Sequence, residues 1–162
     1  MAELTNLETK LGEVIGLAMA AQTATERVEK LTRDRQLKKQ LQTMRKEAAK
    51  AEKDGTALAA TFNGKKSKIM QEARSVRTKG ANMMKTYLER GSDELDGYEF
   101  LTMAEAGEVG HWGVLQELNK QAKHPGVRDL VKVQLPIQRR HLKDVMATSL
   151  QLAAKEDANA PA

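Results

Sequence analysis

The chain has no cysteine, which excludes a disulfide framework and thiolate ligation of a metal, and fits a reducing compartment such as the cytoplasm. Aromatic residues make up 3% of the composition and there are three prolines, so the β-branched and aromatic vocabulary of sheet proteins is thin. No apolar run approaches the roughly 18 residues that a membrane-crossing helix needs. The opening stretch MAELTNLETK lacks the basic start and apolar block of a secretory signal. These absences lead us to expect a soluble, cytoplasmic protein with no membrane span. There is also no glycine-rich phosphate loop, no nucleophile elbow and no Ser/His/Asp arrangement, which removes those enzyme classes and favours a non-enzymatic role.

What the sequence does contain is Ala, Leu, Lys, Glu, Gln and Met, the vocabulary of helices. A length of 162 residues suits one domain with a real core, which we place at residues 1–155, with a frayed tail over 156–162. The net charge of +5 conceals an asymmetry. From Arg33 to Arg90 there are sixteen Lys plus Arg against six Asp plus Glu, or +10, while the rest of the chain carries eleven against sixteen, or −5. The middle is therefore the segment able to meet a polyanion such as nucleic acid, although no aromatic platforms are interleaved with its basic residues.

Hydrophobic periodicity predicts five helices. The first opens at a capping box, Thr5-x-x-Glu8, and ends near Leu31, with Gly12 and Gly16 inside it as marks of close packing. The second carries Leu37, Leu41, Met44, Ala48, Ala51, Leu58 and Phe62 in one phase and should stop at Asn63-Gly64. The third, Lys65 to Glu89, is basic on its outer faces through Lys65, Lys66, Lys68, Arg74, Arg77, Lys79 and Lys85. The fourth is capped by Ser92 and runs to about Ala122. His124-Pro125-Gly126 then forms a turn, with His124 as a surface loop residue. The fifth covers about Val127 to Lys155, with Pro136 expected to kink it or open its ladder.

The chemistry gathers on the last two helices. Glu105, Glu108, Trp112 and Leu115 follow one another at steps of three and four, with His111 three residues after Glu108, so acids and an imidazole share a stripe expected to face inward. Glu-x-x-His on an inward face is a metal-ligand spacing in helix bundles. The fifth helix offers Gln138 and His141 at the same spacing. Both pairs lie about a dozen to fifteen residues from the connecting turn, so antiparallel packing brings them to one height. Glu47 borders the inner face of the second helix at mid-length. Such oxygen and imidazole donors suit iron, manganese or zinc. The alternative is that the histidines are satisfied core residues bonded to Glu108 and Gln138, the acids are neutralised by Arg139 and Arg140, and no metal is bound.

At EAGEVGHWGVL, Glu105 to Leu115, the chain resembles the third core helix of ferritin-like proteins, in particular the YciF-like bacterial stress-protein branch. Leu7-Glu8 followed by Leu11 is similar to that branch's first helix. The resemblance implies a ferritin-like four-helix bundle with Glu on the first helix, Glu-x-x-His on the second, Glu on the third and Glu-x-x-His on the fourth, holding two metal ions. Matched residue by residue, Glu8 or Glu13 stands for the first, with Glu13 nearer mid-bundle, Glu105 or Glu108 for the third, and Gln138 with His141 for the last. The second helix departs from the pattern, with Glu47-Ala48-Ala49-Lys50 placing Lys where His belongs, and Gln138 replaces an acid. One metal ion or none is therefore expected, with a role in stress protection or metal handling. The long basic helix, roughly 37 Å at ~1.5 Å per residue, would serve as the crossover between the second and third core helices. The rival readings are a basic helical module for nucleic acid or another polyanion, and a homo-oligomeric structural protein.

Overall fold

The computed structural model describes residues 3–161; Met1, Ala2 and Ala162, at the two ends of the expected domain and tail, lie outside the described residues. Among these residues there are five helices, α1 (Asn6–Leu31), α2 (Arg35–Ala59), α3 (Lys66–Tyr87), α4 (Glu94–Ala122) and α5 (Pro125–Ala153), and no strand. The protein is an all-α bundle, and none of its described helices is long and apolar enough to cross a membrane.

Neighbouring residues fix the directions. Ile15 meets Gly55 and Glu29 pairs with Arg45, so α1 and α2 are antiparallel. Gly97 meets Val28 while His111 reaches Glu13, so α4 is antiparallel to α1. Gly126 meets Leu58 while Arg140 pairs with Glu47, so α5 is antiparallel to α2. With α4 packed along α5, the ring α1–α2–α5–α4 closes into a four-helix bundle in which α2 and α4 run parallel on one diagonal. Parallel helices cannot be joined by a tight turn. The chain crosses back through α3, which lies outside the ring along α1.

The α1–α3 seam is built on backbone proximity. A Cβ added at Gly12 would lie 2.7 Å from the Ile69 carbonyl oxygen, and one at Gly16 would lie 2.3 Å from that of Ala73. Only a hydrogen atom fits there, which explains two glycines that would otherwise weaken the longest apolar stripe of α1. Further along, Gly80 meets Ala20, so residues on both helices advance together and the pair is parallel. Ile69 and Ala73 are the buried residues of α3.

The core is divided along the bundle axis. One apolar cluster gathers Leu11, Ile15, Ala59, Trp112, Leu115, Val127 and Val131 at one end, and another gathers Val28, Leu41, Met44, Tyr98, Leu101 and Val145 at the other. Between them lie Glu105 and Glu108 of α4 and Gln134, Gln138 and His141 of α5.

Several boundaries differ from expectation. α2 ends at Ala59, before the Asn63-Gly64 stop, because Thr61 and Phe62 take turn hydrogen bonds to Leu58 and Ala59; Gly64, at φ 70°, sits in the connecting turn instead. α4 is capped by Asp93 rather than Ser92, since Asp93 and Asp96 exchange side-chain and backbone hydrogen bonds. α5 begins at Pro125, a position where proline gives up no hydrogen bond. His124 lies in the connection between the helices and caps α5: its Nδ1 accepts from the Val127 amide at 3.3 Å and its ring stacks on Phe62 at 4.7 Å. α5 stays helical through Pro136, which is exposed along with Lys132, so the carbonyl left without its amide can bond water. Beyond Ala153 the chain makes exposed turns.

Candidate metal centre between the two apolar clusters

Glu105 and Glu108 leave α4 on its interior side, and each is 2% exposed. They are one turn apart, so their carboxyls share a level of the bundle. His141 of α5 is equally buried; its Nδ1 lies 3.6 Å from Glu105 Oε2 and its Nε2 lies 3.4 Å from Glu47 Oε1. The imidazole thus hydrogen-bonds the Glu47 carboxylate of α2 and stands beside the Glu105 carboxylate of α4 without bonding it. Glu47 is half-buried at the bundle edge, where the Arg140 guanidinium also holds it. Gln138 is buried on the same stripe of α5, one turn before His141.

Satisfaction is incomplete at this level. Glu105 Oε2, Glu108 Oε2, Gln138 Oε1 and both side-chain polar atoms of Gln134 are buried without a hydrogen-bond partner. An unmade hydrogen bond on a buried polar group costs about 1–3 kcal/mol, so several in one layer call for an explanation beyond packing. Burial first, and the neighbouring Glu105 carboxyl second, push the Glu108 carboxyl well above its ordinary value of 4.5.

His111 and Glu13 form a separate group. The His111 side chain is 40% exposed, with Nδ1 at 3.1 Å from Glu13 Oε2 and 3.2 Å from Lys10 Nζ, and Lys10 pairs with Glu13 on α1. The reason is angular. A residue six positions on from Glu105 lies about 120° around the helix from it, so His111 emerges on the flank facing α1 while Glu105 and Trp112 share the interior face. Of the residues singled out from sequence, the structure brings Glu105, Glu108, His141, Glu47 and Gln138 to one polar layer. It sets His111 and Glu13 beside α1. Gln134, buried four residues before Gln138 on the same face of α5, joins this layer and was missed as a donor; the spacing from Gln138 is the signal that could have found it.

As they stand, no three His, Asp or Glu side chains among the described residues are grouped as a ready-made metal site. The donor set nevertheless fits a divalent cation by its chemistry. It offers two buried carboxylates with orphaned oxygens, amide oxygens and an imidazole, a hard-to-borderline set suited to manganese, iron or zinc.

The basic residues of α3 occupy the outside of the bundle. Lys66, Arg74, Arg77, Lys79 and Lys85 are exposed, whereas Lys65 turns inward to pair with the buried Glu8 at 2.8 Å, and Lys68 is half-buried.

Comparison with known proteins adds no relative: no family model, no curated protein and no solved structure matches the chain.

Proposed function

We propose that the protein is a ferritin-like helical bundle that holds one divalent metal ion in its polar layer and acts in metal handling or stress protection rather than catalysis. Glu105 and Glu108 would be the principal ligands, with His141 opposite and Gln138 and Glu47 as further oxygen donors. His111 and Glu13 would contribute from the α1 flank only by reorienting. The observation that carries this reading is the set of orphaned oxygens on Glu105, Glu108 and Gln138 between the two apolar clusters. A cation drawn in between them would partner these oxygens and neutralise the charge that burial disfavours. Binding to the folded state alone stabilises it by linkage, about 2.7 kcal/mol at a hundred times the dissociation constant, or roughly 5–10 °C for a chain of this size. Thermal denaturation with Mn(II), Fe(II) or Zn(II) should show that rise, and Glu105→Gln with Glu108→Gln should abolish it. Equal melting temperatures with and without all three metals would overturn the assignment.

A second reading has its own observation. The exposed basic residues of α3 form a stripe on a helix whose buried residues are Ile69 and Ala73 alone, a surface suited to nucleic acid or another polyanion. Its mark is duplex DNA binding that weakens steeply with salt; absence of retention on DNA at low salt would remove it.

A further inference from the structure

α3 and α4 scarcely touch, and the space between them is a cleft of about 670 Å³. Its floor is the middle of α1, where Ala20, Ala21 and Ala24 stand in place of larger side chains. The walls are Met83 and Met84 from α3 and Phe100 and Met103 from α4. Met83 is 47% exposed and Met103 36% exposed, so the thioether walls stand open to solvent. Flexible methionines adapt to ligands of varied shape, and the volume falls in the range of small-molecule sites.

One end of the cleft carries acids. Glu105 and Glu108 line it, with the buried Glu108 Oε2 unpartnered, and Glu52 adds a third, alongside the Arg77 guanidinium and the His111 imidazole. An apolar trough ending on a buried acid without a partner favours a molecule with an apolar body and a cationic head, whose charge offsets the one that burial disfavours on the acid. The geometry points to the α1–α3–α4 cleft as a binding site for hydrophobic amines, the ammonium donating to Glu108 and the hydrocarbon lying between the methionines over the alanine floor. This goes beyond the metal assignment; the two share Glu108, so the amine site is that of the metal-free protein and the two cations exclude one another there.

Gly107 provides a clean obstruction. It lines the cleft, and a Cβ placed there meets nothing within 4 Å, so Gly107→Leu fills the cleft without disturbing the packed bundle. Calorimetric titration of the whole chain with n-octylammonium should show saturable binding, with 1-octanol weaker by on the order of tenfold for want of the charged hydrogen bond. Glu108→Gln should remove that discrimination, and Gly107→Leu should abolish binding of both probes while leaving any Mn(II)-induced rise in melting temperature intact. No binding of n-octylammonium, equal binding of the alcohol, or unchanged amine affinity in either variant would each overturn the inference. A manganese response without amine binding would sink this site and keep the metal centre, and the opposite pattern would do the reverse.

Discussion

The two ends of the bundle and its middle are built on opposite terms. At the ends, Leu11, Ile15, Leu115 and Val127 on one side and Val28, Leu41, Leu101 and Val145 on the other bury side chains with no polar atoms. In the middle, α4 and α5 bury Glu105, Glu108, Gln134, Gln138 and His141, and most of these keep an atom without a partner. The glycines divide by what they face instead. Gly12 and Gly16 of α1 are pressed against the α3 backbone, whereas Gly107, Gly110 and Gly113 of α4 have open space where a side chain would stand. The apolar clusters supply cohesion, and the layer between them gives up stability in its side chains. Departures from the packing rule concentrate where a site is most readily placed.

The largest effect that would sharpen this contrast is at an end. Leu115→Ala, at a fully buried position, should destabilise by about 2–5 kcal/mol, the range for a large apolar side chain removed from a packed core, read as a shift in denaturant midpoint at unchanged slope. Next is Gly16→Ala, whose new methyl would stand 2.3 Å from the Ala73 carbonyl oxygen; prying α3 from α1 should cost about 1–3 kcal/mol.

The middle should respond with the opposite sign. Glu108→Met, in metal-free protein, should stabilise by about 1–3 kcal/mol by removing a buried, incompletely bonded carboxyl; a loss of stability there would erase the distinction between ends and middle. Its titration separates the regions too. Because Glu108 is raised in the folded state, the folded chain keeps a proton that the unfolded chain releases above about 4.3. The contribution of Glu108 is therefore most favourable in acid and declines as pH rises from there toward its raised folded value. Glu8, at the end, behaves conversely. Burial alone would raise it, but hydrogen bonds and charge from Lys65 and bonds from Thr5 leave it below 4.5, so its contribution is present above the unfolded value and lost as pH falls. In Glu108→Gln the decline on the neutral side should vanish while the acid limb remains. The smallest effect expected is for Gly110→Ala, an exposed helical position with room for the methyl, which should stabilise by about 0.5–1 kcal/mol. Destabilisation instead would mean that the α4 glycines are packed after all.

Much of the fold is local and was legible. Thr5 with Glu8 forms the capping box expected of it, and Glu105, Glu108, Trp112 and Leu115 of α4 face inward as their spacing requires, as do Gln138 and His141 of α5. Gly12 and Gly16 announced a close neighbour. What misled was treating Glu108-x-x-His111 as a single inward pair: three residues is near one turn, but the shortfall sends His111 toward Glu13. His124 gave no sequence signal of its partner, since Phe62 is remote in the chain.

Periodicity, caps and breakers determined by themselves that this chain makes five helices and which stripe of each turns from water, because those properties depend on residues within a turn or two of one another. Tertiary structure alone decided that α3 lies outside the ring along α1, that His141 stands between Glu105 and Glu47, and that an open cleft leads to Glu108. Those outcomes depend on which surfaces meet across the bundle, and the distances between helices are set by side chains, or by their absence at glycine and alanine, on segments far apart in the chain.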